Sequence, residues 1–333
     1  MKSKSVVTLG EVMMRLSAPG FSRFTQSGTF GVAYGGSEAN VAVGLCNFGI
    51  PTLHVTRFPD NDFGQAATQA LRTFGVDTRF IIYGKERMGI YFSENGASHR
   101  ASRIIYDRFD SAFSYIQPGM IDWGTVFKGA SRFHWGGITP AISQGAADVC
   151  YEAIKVAGKM GLMISGDINY RRNLWKYGKT AQEVMPALIE LTHLIVADSA
   201  DMSNCTGIEA DSFESSGRQF MKAFPNVQKI AATERETINS SHNKIRGILW
   251  NGKELLTSRQ YDITQMIDRV GAGDAFMAGL IYGEVAGKAD EQTIEFATAS
   301  CALKHTIEGD VNRVSAEEVE TLVQGKNIGK LLR

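Results

Sequence analysis

This sequence of 333 residues lacks several features, and each absence excludes a class of protein. Its four cysteines (Cys46, Cys150, Cys205 and Cys301) form no CxxC pair and are too few for a disulfide framework, so we expect free thiols in a reducing compartment. The 35 basic residues balance 35 acidic ones, which gives no support for nucleic-acid binding. The sequence has no apolar run long enough to predict a signal peptide or a membrane span, so the expected location is cytoplasmic.

Several common nucleotide and metal motifs are also missing. There is no GxxxxGK[ST] P-loop, and no GxGxxG follows the first predicted strand, which makes a dinucleotide-binding oxidoreductase a weak alternative. The six histidines show no HExxH-like spacing. What the sequence does have is 44% apolar residues, enough for a sizeable core, and an excess of glycine, with 35 residues. Glycine-rich turns where backbone approaches a ligand are one cause of such an excess.

Strand-like and helix-like segments alternate along the chain, which predicts a mostly parallel α/β sheet with helices on both faces. The clearest helix covers residues 62–74, where apolar side chains recur at helical spacing. We predict strands at residues 6–10, 53–58, 133–136, 162–167, 194–197 and 230–232, and a hairpin of 247–250 with 254–258. We predict further helices at residues 38–48, 146–160, 181–189, 212–224, 274–285, 291–305 and 316–323.

Two segments rich in Tyr, Phe, Ser and Arg interrupt this alternation, at about residues 12–34 and 88–112. The second contains two strand-like runs, 89–94 and 102–106, joined by a polar turn at Asn95-Gly96. We therefore expect the two insertions to form a small separate sheet on a single domain that spans residues 1–333.

A glycine-rich stretch, Gly271-Ala272-Gly273-Asp274, stands between the hairpin and an apolar helix. Backbone N–H groups can approach a ligand closely there, and the helix N-terminus adds unsatisfied donors that suit a phosphate or a developing oxyanion. Asp274 could accept the proton of a substrate hydroxyl as it attacks phosphorus. The local pattern also allows Asp274 to be only a helix N-cap.

A second glycine pair, Gly35-Gly36, leads through Ser37 into the helix predicted at residues 38–48. The glycines would let a ligand rest on backbone, and the Asn40 amide could point at sugar hydroxyls. The alternative is a tight strand-to-helix turn in which Ser37 is the N-cap.

Together the two motifs, about 235 residues apart, resemble the Gly-Gly…Asn and Asp-Thr-x-Gly-Ala-Gly-Asp signatures of the ribokinase-like (PfkB) carbohydrate kinase family. The resemblance implies a three-layer α/β/α fold with a small β-sheet lid over the substrate, and ATP and Mg²⁺ as cofactors. It implies Asp274 as catalytic base, with Gly271, Ala272 and Gly273 stabilising the transferred charge. It leaves a role for a monovalent cation open. Because edge strands of a lid expose unpaired backbone, we also expect a homo-oligomer that forms through the lid.

Within this family the chain resembles most the kinases of 2-keto-3-deoxygluconate, through residues 104–108, 167–175 and 309–310. Such a sugar acid carries a carboxylate, which the planar guanidinium groups of Arg108 and Arg171 suit. Tyr91 and Tyr106 could cover its carbon chain and hydrogen-bond its hydroxyls. The substrate residues implied in this way are Gly35, Gly36, Asn40, Tyr91, Tyr106, Arg108, Asn169, Arg171 and Asp310.

Several alternatives remain open for the substrate. Arg108, Arg171 and Arg172 could instead form structural or surface ion pairs, and Arg171 could contact nucleotide phosphates. Ribokinases usually have an Asp just after the first strand, where this chain has residues 11–15, Glu-Val-Met-Met-Arg. This departure speaks against ribose but not against fructose. A fructokinase, a ribokinase and a non-catalytic sugar-binding protein are therefore the competing hypotheses.

The nucleotide side departs further from the family pattern. Residues 233–236 stand where many relatives have a glycine-containing loop after a late strand. The family's Asn-x-x-Glu element is replaced by Asp198-Ser199-Ala200-Asp201, whose two carboxylates could help to bind hydrated Mg²⁺. The nucleotide contacts that the resemblance implies are Asp198, Thr233, Arg235, Gly271, Gly273 and Thr298.

Overall fold

The computed structural model describes residues 5–326. Its strands are β1 Ser5–Leu9, β2 Met13–Ser17, β3 Gly31–Gly35, β4 Thr52–Val55, β5 Arg57–Pro59, β6 Ile82–Gly84, β7 Ile90–Glu94, β8 Arg103–Asp107, β9 Ala130–Gly136, β10 Met163–Asp167, β11 Leu194–Val196, β12 Lys229–Asn239, β13 His242–Trp250, β14 Leu255–Thr257 and β15 Tyr261–Ile263. Its α-helices are α1 Ser37–Asn47, α2 Asp62–Thr73, α3 Trp123–Val126, α4 Ile138–Ile142, α5 Gln144–Lys159, α6 Ala181–Ile189, α7 Ser199–Thr206, α8 Phe213–Ala223, α9 Ala272–Ala286, α10 Asp290–Lys304 and α11 Ala316–Val323.

The main sheet has the strand order β14-β13-β12-β11-β10-β9-β1-β4, with β15 paired to β13. Neighbouring strands from β4 to β12 run parallel, and the strands from β13 onward are antiparallel to their neighbours. This confirms the predicted mostly parallel α/β sheet. The carboxyl ends of β1, β9 and β10 consequently meet at one edge, where ligands bind in folds of this kind.

Helices cover both faces of the sheet because its strands are apolar on both sides. Val7 and Leu9 of β1 pack into a core with α5 and α6, whereas Val6 packs into a second core with α1, α9 and α10. The four cysteines are free, as predicted. Within residues 5–326, no helix is both long enough and apolar enough to cross a membrane.

The lid is the separate four-stranded sheet β3-β2-β7-β8, and its strands come from the two segments that interrupt the predicted alternation. Strands β2 and β7 pair in parallel at its centre, and β8 forms one edge, with all five of its residues exposed. Strand β3 runs directly into α1. The lid is therefore connected to the helix that enters the candidate site.

The structure differs from the sequence-based expectations in three places. The strand expected at 53–58 is divided into β4 and β5, and α7 was not predicted at all. Residues 233–236, expected to replace a loop, continue β12 in antiparallel pairing with β13. Cross-strand ion pairs of Glu234 with Arg246 and of Glu236 with Lys244 support this long ribbon. Such pairs depend on register between distant segments, so local sequence pattern does not reveal them.

Candidate active site

Asp274 lies in the first turn of α9, at the carboxyl edge of the sheet. The N-cap of this helix is Gly271, which has a φ of 80° and therefore a backbone conformation that favours glycine. A Cβ at Gly271 would overlap the carbonyl oxygen of Asp310, which is a second reason for glycine. Because Asp274 is the third helical residue and not the cap, the prediction that it is only an N-cap is wrong.

The Asp274 carboxylate is held by two residues of α1. The Ser37 hydroxyl donates to Oδ1 at 2.8 Å, and the Asn40 amide donates to Oδ2 at 2.7 Å. The structure thus brings together the two motifs that lie about 235 residues apart in sequence. The cap of α1 is Gly36, with no side-chain capping bond, so Ser37 is not the N-cap.

The hydrogen bond of Asn40 places its amide against the Asp274 carboxylate, and its predicted contact with sugar hydroxyls stays a prediction. Burial raises the pKa of Asp274 to about 6, although the bonds from Asn40 and Ser37 work in the opposite direction. A carboxyl of this pKa is ionised at neutral pH and can accept a proton there.

Further carboxyl groups lie near Asp274, at the ends of β10 and at the start of α7. Burial raises the pKa of Asp167 well above its usual value, and the charges of Asp274 and Asp201 add to the effect. Burial likewise raises the pKa of Asp201 to about 6, with the charge of Asp198 contributing. The Asp198 side chain caps α7 by accepting from the Asp201 N–H at 2.7 Å.

This group of carboxylates favours a divalent cation, because a positive charge would relieve their mutual repulsion. Among residues 5–326, however, no three His, Cys, Asp or Glu side chains are arranged to hold a metal directly. These carboxylates therefore suit a Mg²⁺ ion that keeps its water ligands and is bound through nucleotide phosphates. Sequence reasoning included Asp167 in the stretch 167–175 but assigned it no role, although its position at the end of a predicted strand was a usable signal.

Glu38 is a second carboxyl that sequence reasoning missed. It lies in α1, fully buried, where it accepts a hydrogen bond from Thr139 at 2.9 Å. A Cβ at Gly10 or at Gly136 would overlap its carboxyl group, so the ends of β1 and β9 make room for it. Burial raises the pKa of Glu38 to about 7.

Asp310 joins the lid to this site. Its carboxylate accepts from Arg15 of β2 at 2.5 Å and from the Tyr91 hydroxyl of β7. Arg15 also donates to Asp268 at 2.6 Å, and only 1% of Arg15 is exposed. The predicted substrate residues Tyr91 and Asp310 thus lie close together, but their polar groups are hydrogen-bonded to each other. Arg15 was named in the sequence only as part of a departure from ribokinases, and its function as an anchor was not predicted.

Arg108, predicted to bind a carboxylate, is already paired with one. Its Nε donates at 2.9 Å to Glu11, whose other carboxylate oxygen accepts from Ser111, and both partners of the ion pair are buried. Tyr106 is exposed and lies with its ring centroid 5.8 Å from the Arg108 guanidinium carbon and 5.8 Å from the Tyr91 ring. The structure therefore shows the ion-pair alternative for Arg108.

Arg171 differs from Arg108 because it is exposed and donates only to the neighbouring Tyr170 carbonyl, at 3.2 Å, among the contacts of residues 5–326. Its positive charge partly opposes the rise that burial causes in the pKa values of Asp274, Asp167 and Asp201, so it acts on the same group of carboxylates. Asn169, two residues earlier, has a φ of 40°, a strained conformation typical of functional sites. The predicted residues Asn169 and Arg171 are therefore brought to the site.

The nucleotide side is less well assembled. Arg235 on β12 is exposed. Burial of Arg269, beside the glycine loop, lowers the pKa of Arg269, and the charge of Arg235 adds to this effect. Thr298 is fully buried, and its hydroxyl donates to the Ile294 carbonyl at 2.7 Å. Thr233 lies on β12 opposite Gly247, the glycine that packs over Thr298. The nucleotide contacts assigned to Thr233, Arg235 and Thr298 stay predictions.

Comparisons with known proteins agree with this geometry. The family model described as pfkB family carbohydrate kinase matches residues 3–316. The structure of a 2-dehydro-3-deoxygluconokinase from Thermotoga maritima superimposes with a TM-score of 0.92 and 38% identity, covering 96% of this chain and 99% of that one. A 2-dehydro-3-deoxygalactonokinase from Haloferax volcanii is 28% identical over 326 residues, 97% of this chain and 98% of that protein.

A fructokinase from Xylella fastidiosa, solved with bound ATP, shares the fold with a TM-score of 0.80 and 20% identity, covering 98% of this chain and 99% of that one. Family match, fold and the meeting of both glycine motifs at Asp274 lead to the same conclusion: the chain belongs to the PfkB family of carbohydrate kinases.

Proposed function

We propose that this kinase transfers the γ-phosphoryl group of ATP to the terminal (C6) hydroxyl of 2-keto-3-deoxygluconate, with Asp274 as general base. The observation that carries the proposal is the Asp274 carboxylate, which Ser37 and Asn40 fix beside the N-terminus of α9. A hydroxyl that approaches this carboxylate can lose its proton as it attacks phosphorus. Backbone N–H groups of residues 271–273 then stabilise the charge on the transferred group.

The sugar-acid specificity rests on guanidinium groups close to the base. Arg171 is exposed and its charge acts on Asp274, so its planar group is available to bind a carboxylate. Arg108, Tyr106 and Tyr91 lie together at the lid, where closure would exclude water. The relatives named for 2-dehydro-3-deoxy sugar acids support the same substrate class.

ATP would place its phosphates over the glycine loop, next to Arg269 and Arg235. Mg²⁺ would supply positive charge to the phosphates, and Asp167, Asp198 and Asp201 are the carboxylates that would hold its water shell.

A fructokinase is the second candidate, and one observation favours it. The Arg108 charge is already neutralised by the buried Glu11 carboxylate, so Arg108 has no free charge for a sugar acid unless that pair opens. A neutral ketose needs no such cation.

We also propose that two chains associate through their lids. Strand β8 is an exposed edge, and its apolar side chains Ile104, Ile105 and Tyr106 are 41–55% exposed. An unpaired apolar edge of this kind is suited to a second copy of the same strand.

The test of function is a panel of acceptors with ATP and Mg²⁺: 2-keto-3-deoxygluconate, its galacto epimer, fructose and ribose. We expect the highest kcat/KM with one of the two keto-deoxy acids. A higher kcat/KM with fructose would transfer the assignment to fructokinase. Binding of a sugar in calorimetry without ADP release from any acceptor would indicate a non-catalytic sugar-binding protein.

A further inference from the structure

A lysine is fully buried beneath the glycine loop. Lys304 is the last residue of α10, and its side chain has 0% exposure. Its ammonium donates to the backbone carbonyl of Ile307 at 3.0 Å and to that of Asp268 at 3.5 Å. Its Cε lies 3.4 Å from the position that a Cβ on Gly271 would take. Burying an ammonium is costly, so a lysine at this position calls for an explanation.

The neighbours of Lys304 balance its charge. Asp268 and Asp310 are buried carboxylates, and Arg15 donates to both, at 2.6 and 2.5 Å. Burial lowers the pKa of Lys304, but the charges of Asp268 and Asp310 act against that effect. With both cations in place, two positive and two negative side chains cancel in this part of the interior.

Lys304 also connects the two backbone segments that shape the phosphate site. One is the loop that begins at Asp268, whose carboxylate accepts from the Val270 N–H at 3.0 Å and the Gly309 N–H at 3.1 Å. The other is the turn after α10, where the Asp310 carbonyl packs on Gly271. The ammonium lies between the Asp268 and Ile307 carbonyls, one from each segment.

We propose that Lys304 is a positioning residue: its ammonium is a fixed internal cation that holds the carbonyls beneath the 268–274 loop, so that phosphoryl transfer requires no free monovalent cation. The proposal rests on kinase activity but not on which sugar is phosphorylated. Because the loop ends at Asp274, displacement of its carbonyls would misalign both the base and the phosphate-binding N–H groups.

Removal of the lysine side chain gives a distinctive expectation. Lys304→Ala would leave a cavity lined by the carbonyl oxygens of Asp268 and Ile307. Arg15 would balance only one of the two carboxylates of Asp268 and Asp310, so one negative charge would remain unbalanced there. A small free cation could bind there, whereas a bulky one could not. Lys304→Met keeps an unbranched side chain only one atom shorter and without the charge, so it fills most of the cavity and leaves no room for a cation. Lys288→Ala is the matched control, since Lys288 pairs with Glu320 instead.

The experiment measures kcat with whichever panel sugar reacts best, in buffers whose only monovalent cation is choline, Na⁺, K⁺ or ammonium. We expect wild-type and Lys288→Ala turnover to be the same in all four. We expect Lys304→Ala to lose on the order of 10–100-fold in kcat in choline and to recover with saturating ammonium or K⁺. Lys304→Met should lose activity in every buffer. Melting temperatures in the same salts should rise with ammonium or K⁺ only for Lys304→Ala.

Three results would overturn the proposal. One is a wild-type enzyme that needs K⁺ or ammonium for turnover, which can be measured even if a variant does not fold. Another is a Lys304→Met variant with normal kcat. The third is a folded Lys304→Ala variant whose lost activity no cation restores. Failure of the sugar-acid assignment would leave all of these measurements intact with a different acceptor.

Discussion

The ionisation of Asp274 should control turnover. Its pKa is raised to about 6 by burial, and only the ionised carboxylate can accept the hydroxyl proton. We therefore predict that kcat/KM falls as pH drops through about 6 and levels off above it. The measurement is a pH profile of kcat/KM between pH 5 and pH 8, at saturating MgATP.

A second carboxyl, Asp201, has a similar pKa of about 6 and provides the control. The inflection should persist in Asp201→Asn, even if the rate is lower. A profile that is flat across this range, or an inflection that disappears in Asp201→Asn, would assign the titration to another group.

Arg171 and Arg172 are adjacent exposed arginines with different expected roles. Of these two arginines, it is Arg171 whose charge acts on the pKa values of Asp274 and Asp167. We predict that Arg171→Ala lowers kcat/KM for the sugar acid by about 2 kcal/mol more than for fructose, because only the acid loses a charged partner. Arg172→Ala should affect both substrates little. Equal losses on both substrates in Arg171→Ala would argue against carboxylate recognition.

At the ends of β1 and β9, Gly10 and Gly136 pack against the buried carboxyl group of Glu38 in α1. A Cβ at Gly136 would lie 2.6 Å from the Glu38 Oε1, closer than packed atoms tolerate. We predict that Gly136→Ala lowers the free energy of unfolding by about 1–3 kcal/mol through overpacking. Denaturant unfolding measures this change.

The double variant Gly136→Ala, Glu38→Ala serves as the control for that contact. Removal of the carboxyl should relieve the overlap, so the two effects should not add. Additive losses would mean that Gly136 is required for a reason other than its contact with Glu38.

The main elements were predictable because they rest on local signals. Helix α2 has regular apolar spacing, and parallel strands such as β10 are short apolar runs between helices. Both glycine motifs and Asp274 were also found, since backbone approach to a ligand constrains residue type locally. Contacts between distant segments were not predictable in the same way. The Arg15 link to Asp268 and Asp310, the Arg108–Glu11 pair and the burial of Lys304 each depend on the assembled fold.

For the molecule as a whole, the lid edge predicts the oligomeric state. Ile105 on β8 is 55% exposed, in a strand with no partner on its outer side among residues 5–326. We predict that the wild type is a dimer in solution and that Ile105→Glu shifts it toward monomer, because a charge on this edge opposes pairing. Sedimentation equilibrium measures the change.

Met160 provides the matched control, since it is also exposed but lies after α5, away from the lid. Met160→Glu should remain dimeric. A monomeric wild type, or an Ile105→Glu variant that stays dimeric, would rule out association through β8.

Asp274 is the group proposed to deprotonate the sugar, and the Asp274→Asn variant tests that role directly. The amide keeps the size of the side chain but cannot accept the proton. We predict a loss of kcat on the order of 10²–10⁴-fold, with sugar affinity in calorimetry and the melting temperature close to those of the wild type. A variant that binds the sugar normally and turns over at nearly the wild-type rate would contradict the account.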